Sequence, residues 1–437
     1  MRISVIGCGY LGAVHAACMA KLGHQVVGID VDERKIADLS AAKAPFYEPG
    51  LEALLEEVQE TGRLTFTTDM SAASGSSVHF ICVGTPQKSG ENAADLSYVE
   101  AAVRGLLPQL APGDIIVGKS TVPVGTASRL RGLISEQEPG AHLVWNPEFL
   151  REGHAVSDTL QPDRFVYGVS DGSEEHPAVS VLDDVYEVPL QNGTPRLIMD
   201  LPTAELVKTA ANSFLATKIS FINAMAELCE ATGADVTRLA DAIGMDDRIG
   251  RKFLQAGIGF GGGCLPKDIR AFMARAGELG ADQALTFLRE VDAINMRRRT
   301  RVVELTRELF GDGLLGKRIT VLGAAFKPES DDVRDSPALS IAAQLQLQGA
   351  VVTVTDPKAL HNASRRFPEL QYVQNTSAAI ENSDAILLLT EWPEYRELDP
   401  YIVKQSVRTP RILDGRNVLD PSKWRAAGWQ YRGLGRP

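Results

Sequence analysis

Cysteine is scarce in this sequence: Cys8, Cys18, Cys82, Cys229 and Cys264 are the only five in 437 residues, odd in number, with no pair at metal-ligand spacing. That excludes a disulfide-stapled fold and a cysteine-built metal centre, and it suits reduced thiols in a cytoplasm. No apolar run approaches the ~18 residues that a membrane span requires. The apolar stretch Met1 to Gly12 is broken by glycines and has neither a basic n-region nor a cleavage site, so it reads as a strand and turn, not a signal peptide. A basic excess is also missing. Lys and Arg number 45 against 56 Asp and Glu, for a net charge of -11, which argues against nucleic acid or an anionic membrane as partner. An anionic small molecule stays compatible, because a local cluster of Lys and Arg overrides the global sign. What is present is 44% hydrophobic and 23% charged residues, enough to build the cores of two or three domains.

The first ~200 residues alternate short β-branched runs with helical patterns, which predicts a parallel sheet covered by helices. The runs are Ile3–Ile6, Val26–Ile29, Val78–Val83 and Ile115–Val117. From Thr203 to about Phe310 the texture is helical, with Asp282–Phe310 reading as one long helix stopped by Gly311. Arg297, Arg298 and Arg299 in it read as a solvated face. The third section repeats the first in outline. Arg318–Leu322 leads to Gly323, Val351–Thr355 ends at Asp356, and Ala385–Leu389 follows. The expected architecture is α/β, with a Rossmann-type dinucleotide domain over 1–202, a central helical domain with a long connecting helix over 203–312, and a second Rossmann-like domain over 313–437.

Gly7, Gly9 and Gly12 form G-x-G-x-x-G directly after a strand and at the opening of a helical stretch. Gly7 permits the tight turn, Gly9 lets the backbone approach a pyrophosphate, and Gly12 allows close helix packing, while the helix N-terminus supplies N–H groups. Strand Gln25–Ile29 then ends at Asp30. An acid there accepts hydrogen bonds from ribose hydroxyls and repels a 2′-phosphate, which predicts NAD rather than NADP. Two later strand-end loops, Val83–Pro86 and Lys119–Gly125, place Thr85 and Thr121 where cofactor or substrate binds in open α/β sheets.

The most unusual segment is Gly257 to Asp268, in which five glycines precede Cys264. Such a run lets backbone N–H groups converge on an anion and lets a substrate come close. A thiol at its end, beside Lys267 and near a helix start, is where a reactive thiolate is expected. The other four cysteines lie on apolar elements and read as buried. Lys208 and Asn212 are four apart on an apolar helix, so they share a face. A lysine in that setting either snorkels or serves a site. Glu148 and Glu152 are likewise four apart, in a loop that follows strand His142–Trp145.

These residues resemble the UDP-glucose 6-dehydrogenases and their relatives that act on other nucleotide sugars. The resemblance covers essentially the whole chain. It is carried by GCGYLG at 7–12, GTP at 84–86, STVPVG at 120–125, NPEFLREG at 146–153, KTAAN at 208–212, GFGGGCLPKD at 259–268 and FKPESDDVRDSP at 326–337. It implies a four-electron oxidation of a sugar C6 alcohol to a carboxylate with two NAD, through a thiohemiacetal and a thioester on Cys264. It implies that Lys208 and Asn212 stabilise the oxyanion. Glu148 mainly assists the hydrolytic water, Asp268 and Thr121 position it, and Glu152 lines the site. Cofactor contacts are implied at Gly7, Gly9, Leu11, Gly12, Asp30, Lys35, Thr85, Thr121, Glu152, Lys267 and Arg334. Substrate contacts are implied at Glu148, Phe149, Leu150, Arg151, Glu152, Lys208, Asn212, Lys327, Gly261 and the loop Phe253, Leu254, Gln255, Ala256 and Gly257. Arg248 resembles an arginine that enters a neighbouring subunit, so a homodimer or higher homo-oligomer is expected. The third section, with Gly323 but no G-x-G-x-x-G, suits a mononucleotide sugar.

The resemblance is closest to the enzymes of UDP-glucose, so UDP-glucose is the expected substrate, oxidised to UDP-glucuronate; GDP-mannose and UDP-N-acetyl sugars stay open as alternatives. A two-electron dehydrogenase of 3-hydroxy acids shares the first sheet and the Lys-x-x-x-Asn helix, but has no use for the cysteine loop. An NAD-binding sensor would leave Cys264, Lys208 and Asn212 unexplained.

Overall fold

The structure, a computed structural model, describes residues 1–311 and 313–437; Asp312, at the expected end of the central section, lies outside the described residues. The chain divides into two compact units. One comprises Met1–Ala211 with Arg270–Gly280, and the other Asn212–Ile269 with Ala281–Pro437.

The first unit is built on an eight-stranded sheet. Its strands are β1 (Arg2–Ile6), β2 (Gln25–Ile29), β3 (Leu64–Thr67), β4 (Val78–Ile81), β5 (Ile115–Gly118), β6 (His142–Trp145), β7 (Phe165–Val169) and β8 (Arg196–Asp200). They lie in the order β3-β2-β1-β4-β5-β6-β7-β8. Every pairing is parallel except β6 with β7. Alternation along β1 sends Ile3 and Val5 into one core and Ile6 into the other, so both faces are covered and the strands read as continuous apolar runs. Helix Tyr10–Lys21 packs on the first face, and its middle turns are buried throughout.

The start of helix Thr126–Gln137 has no local side-chain cap; its preceding residue is Gly125, with φ +96°. The cap comes from Glu205 instead. This residue, 80 positions on, accepts from the Gly125 N–H at 2.7 Å and the Ala127 N–H at 2.6 Å. Arg275 Nε donates to the Val124 carbonyl beside it at 2.9 Å. Together they fix the loop that carries Thr121.

In the second unit, six strands follow: β9 (Arg318–Leu322), β10 (Val351–Thr355), β11 (Gln371–Tyr372), β12 (Ala385–Leu388), β13 (Arg411–Asp414) and β14 (Gln430–Gly433). Their order, β11-β10-β9-β12-β13-β14, reproduces that of the first six strands, as the repeated outline of the sequence predicts. All are parallel. The long helix is Leu201–Thr232; Asp200 accepts the Thr203 N–H at 2.8 Å and the Thr203 hydroxyl at 3.0 Å at its start.

Two expectations are corrected here. Asp282–Phe310 is not one helix: Asp282–Leu285 is a short 3₁₀ turn, and the α-helix runs from Phe287 to Phe310. The Thr286 hydroxyl bonds the Gln283 carbonyl at 3.2 Å, a local bond that competes with helical pairing. Gly311, with φ +71°, ends the helix as expected. The arginine run is not a solvated face either. Arg297 is exposed, but Arg298 is 0% and Arg299 4% exposed, because these two lie on the face turned into the protein, where carboxylates and carbonyls meet them.

Burial pushes the Glu205 carboxyl up to about 7, against the Ala127 and Gly125 N–H groups and Arg275, which lower it. The folded value lies above the ordinary glutamate range, so its contribution to stability is complete below that range and is lost as pH rises through about 7. Glu205→Gln is therefore expected to flatten the decline of the urea midpoint between pH 5 and pH 8. A variant whose midpoint falls in parallel with the parent's would assign that decline to another group.

Candidate active site

The glycine motif behaves as its spacing requires. Gly7 has φ +90°, and a Cβ there would lie 2.6 Å from the Val83 side chain. A Cβ on Gly12 would lie 1.8 Å from the Gly7 carbonyl oxygen, whereas one on Gly9 would meet nothing within 4 Å. The helix that follows has no side-chain cap at Gly9. An open position in front of uncapped N–H groups fits a dinucleotide pyrophosphate. Leu11 lies in the first turn of that helix.

Asp30 is nearly buried. Its carboxylate accepts from the Cys8 N–H at 2.7 Å, the Asp32 N–H at 3.0 Å and Lys35 Nζ at 2.8 Å. A carboxylate has about four acceptor sites, so capacity is left for a ribose hydroxyl. Asp356, at the matching end of β10, differs. The N–H groups of Ala324, Ala325, Lys358 and Ala359 and the Trp392 indole N–H all converge on it. Five donors saturate it, and the second sheet cannot hold a ribose in the same way.

Thr85 and Thr121 meet at the ends of β4 and β5, where the Thr85 hydroxyl donates to the Thr121 carbonyl at 2.7 Å. The loop after β6 carries Glu148, whose Oε1 lies 2.9 Å from Lys208 Nζ and whose Oε2 accepts the Leu150 N–H at 2.6 Å. Lys208 is 5% exposed, so it does not snorkel. Its ammonium sits 5.7 Å from the Phe149 ring centroid. Arg151 points to solvent and is held bidentately by Asp158. Glu152 is half-buried beside the same loop.

In the second unit, Cys264 is exposed and directly precedes helix Leu265–Glu278. One turn on, Asp268 is 1% exposed. Asn212 Nδ2 donates to its Oδ2 at 2.6 Å, Lys267 Nζ lies 2.7 Å from its Oδ1, and its N–H donates to the Cys264 carbonyl at 2.9 Å. The remaining cysteines are buried, as expected. Burial pushes the Cys18 and Cys82 thiols up to about 12 and the Cys8 and Cys229 thiols above their ordinary range. No group of His, Cys, Asp and Glu suited to a metal ion occurs among the described residues.

The loop from Phe253 to Gly257 is brought to the carboxyl end of β13. Gln255 Nε2 donates to the Arg416 carbonyl at 3.3 Å, and a Cβ on Gly257 would lie 3.2 Å from the Gly415 carbonyl. Phe253, at φ +66°, is the strained point; Leu254 and Ala256 are buried. Lys327 Nζ lies 5.6 Å over the Phe326 ring, and that ring covers Gly262. Gly261 packs on the Asp335 carbonyl, and Gly263 on the Arg334 guanidinium, itself held bidentately by Asp332. Arg248 is not gathered with these residues: it is exposed and pairs with its own neighbour Asp246.

Sequence reasoning missed three supports. Glu48 accepts the Gly153 and Ala155 N–H groups, each at 2.7 Å, and the Tyr10 hydroxyl, tying the glycine-motif helix to the carboxylate loop. Lys119 is buried against Asn146 Oδ1 at 2.9 Å and the Tyr186 hydroxyl, and burial lowers it to about 8. Asn295 and Arg298 bond the glycine loop, and Arg299 holds Asp335, on which that loop packs. Only the last set left a signal, its i, i+3, i+4 spacing on one helix.

Comparison with known proteins matches residues 1–189 to the NAD binding domain, 202–297 to the central domain and 320–421 to the UDP binding domain of the UDP-glucose/GDP-mannose dehydrogenase family. The chain is 44% identical over 442 residues to a UDP-glucose 6-dehydrogenase of Bacillus subtilis, covering 100% of this chain and 93% of that protein. It is 42% identical to a UDP-glucose 6-dehydrogenase of Rhizobium meliloti, with both chains covered fully. Among solved structures, a UDP-glucose dehydrogenase from Pyrobaculum islandicum superposes with a TM-score of 0.90 at 39% identity, covering 100% of this chain and 98% of that one. A UDP-D-ManNAc dehydrogenase from Pyrococcus horikoshii superposes with a TM-score of 0.87 at 28% identity, covering 100% and 99%.

Proposed function

Because the chain belongs to the UDP-glucose/GDP-mannose dehydrogenase family, we propose that it oxidises the C6 alcohol of UDP-glucose to the carboxylate of UDP-glucuronate, with Cys264 as nucleophile. The observation that carries this reading is the exposed Cys264 thiol at the start of a helix, with buried Asp268 one turn on, held by Asn212 and Lys267. UDP-glucose is preferred among nucleotide sugars because the relatives near 40% identity over the full chain carry that name, whereas the UDP-D-ManNAc dehydrogenase stands at 28%.

NAD, held at Gly7–Gly12 and Asp30, supplies the hydride acceptor for both oxidations. The protein's residues do the remainder. Cys264 adds its sulfur to the C6 aldehyde formed by the first oxidation, giving a thiohemiacetal; the second oxidation leaves a thioester, and water cleaves it to carboxylate and thiol. Lys208 and Asn212 stabilise the oxyanion that develops on O6. Glu148 takes the proton of the attacking water, and Asp268 and Thr121 position that water. The ion pair of Lys208 with Glu148, at 2.9 Å, holds the two side chains against each other. The nucleotide is assigned to the second sheet, with Phe253–Gly257, Gly261 and Lys327 as contacts, and the boundaries at 202 and 312 divide the chain by role.

The working unit proposed is a homodimer or a higher homo-oligomer. Phe214, Phe221 and Leu228 stand seven apart on the long helix and are 67%, 48% and 58% exposed. A repeated apolar stripe of that spacing suits packing against the same helix of a second copy, and Arg248 is then available to its neighbour. Five thiols without a disulfide suit a cytoplasmic enzyme.

Two NADH are expected per UDP-glucose consumed, in an assay run also with GDP-mannose and UDP-N-acetyl sugars. One NADH, with aldehyde as the end product, overturns the four-electron route; faster turnover of another sugar overturns the choice of substrate. In sedimentation, the parent is expected to run as a dimer or larger and Phe221→Glu to shift toward monomer. A fully active parent monomer would contradict the assembly.

A further inference from the structure

We propose that Asn295, Arg298 and Arg299 are positioning residues that set the place of the Cys264 thiol by clamping the glycine loop before it. They stand at i, i+3 and i+4 on helix Phe287–Phe310, on one face; Asn295 and Arg298 bond the loop directly at different points, and Arg299 acts on it through Asp335. Asn295 is wholly buried. Its Oδ1 accepts the Phe260 N–H at 2.7 Å and its Nδ2 donates to the Phe260 carbonyl at 3.0 Å. That is the pair of bonds a neighbouring strand would give. A Cβ on Gly259, which has φ +95°, would lie 2.6 Å from the same Oδ1, so only glycine admits the amide this close. Arg298 Nε donates to the Gly257 carbonyl at 3.2 Å, and its terminal nitrogens face Glu227 and Glu230 at 3.8 and 3.7 Å. Arg299 holds Asp335 through its carboxylate at 2.9 Å and its carbonyl at 3.3 Å. The Asp335 carbonyl in turn lies 2.4 Å from where a Cβ on Gly261 would stand, and the neighbouring Arg334 carbonyl accepts the Gly262 N–H at 2.8 Å.

The loop is thus bonded at Gly257, Phe260 and Gly262, and packed closely at Gly261. Only Gly263 separates the pinned stretch from Cys264. Glycines impose almost no backbone preference of their own, so without the clamp the thiol would sample many positions relative to the helix start that follows it, the setting that favours a thiolate. Arg298 is a poor test position, because its removal strands the carboxylates packed on it. Asn295 is uncharged and touches only backbone in the loop.

The inference rests on Cys264 as the nucleophile, and its test separates the two. In the full-length protein, Asn295→Ala is expected to lower kcat by ~10- to 100-fold, the cost of a misplaced reacting group, while the KM for NAD stays near the parent value. Iodoacetamide modification of Cys264 in the folded variant, followed by mass spectrometry, is expected to slow as well. Asn295→Ser keeps an uncharged hydroxyl but is too short to make both bonds, so it is expected to fall between parent and alanine variant, and it carries the test if the alanine variant does not fold. Variants that melt lower yet keep the parent's kcat and labelling rate would show a purely structural role and overturn the clamp. The labelling arm reads loop geometry whatever the thiol does in turnover, so a failed nucleophile shows elsewhere, as an active Cys264→Ser.

Discussion

A loop with five glycines in seven residues gets no shape from its own side chains, and the chemistry assigned to Cys264 depends on that loop having one shape. The glycines are required for the opposite reason. At Gly259, Gly261, Gly262 and Gly263 a Cβ would collide with Asn295, Asp335, Phe326 and Arg334 respectively. The segment is bare so that its surroundings can close on it, and the entropy a glycine loses on ordering is offset by bonds that those surroundings make. Much of the second unit serves this end. Asn295 bonds the Phe260 backbone in both directions, Arg416 donates to the Phe326 carbonyl at 3.1 Å, and Asn223 Oδ1 accepts the Gly257 N–H at 2.8 Å.

The same economy separates two sheets with one strand order. Each has an acid at the end of its second strand, yet Asp30 keeps acceptor capacity and Asp356 is saturated by five internal donors. A carboxylate whose lone pairs are all used within the protein is a structural post; one with a position left is a binding site. The topology is shared, and the hydrogen-bond count at this one position, with the glycine motif present in the first sheet only, separates the two.

Much of this was legible in the sequence because it is local. The strand runs, the glycine motif, the buried cysteines and the i, i+4 pair of Lys208 and Asn212 are all patterns within a few residues, and the second sheet was readable as a repeat of the first. The parts that were not legible are contacts across long sequence distance. Glu205 caps a helix 80 residues earlier, and Glu48 holds a loop 105 residues later. Neither residue sits in a pattern that announces its partner. The arginine run misled for a related reason. Three charges in a row predict exposure on average, but consecutive positions on a helix point in different directions, and two of the three met carboxylates supplied by other elements. Lys208 was ambiguous between snorkelling and site until its burial against Glu148 was seen.

The proposed oxidation through a sulfur–carbon bond at Cys264 is tested most directly by the turnover of Cys264→Ser. The sulfur-to-oxygen change costs little packing at an exposed position, so the variant should still bind NAD and the sugar nucleotide. Its steady-state production of UDP-glucuronate is expected to fall by several orders of magnitude, because a serine hydroxyl is almost un-ionised at pH 7 and is a far weaker nucleophile than a thiolate. Near-normal production of UDP-glucuronate by that variant would contradict the covalent account.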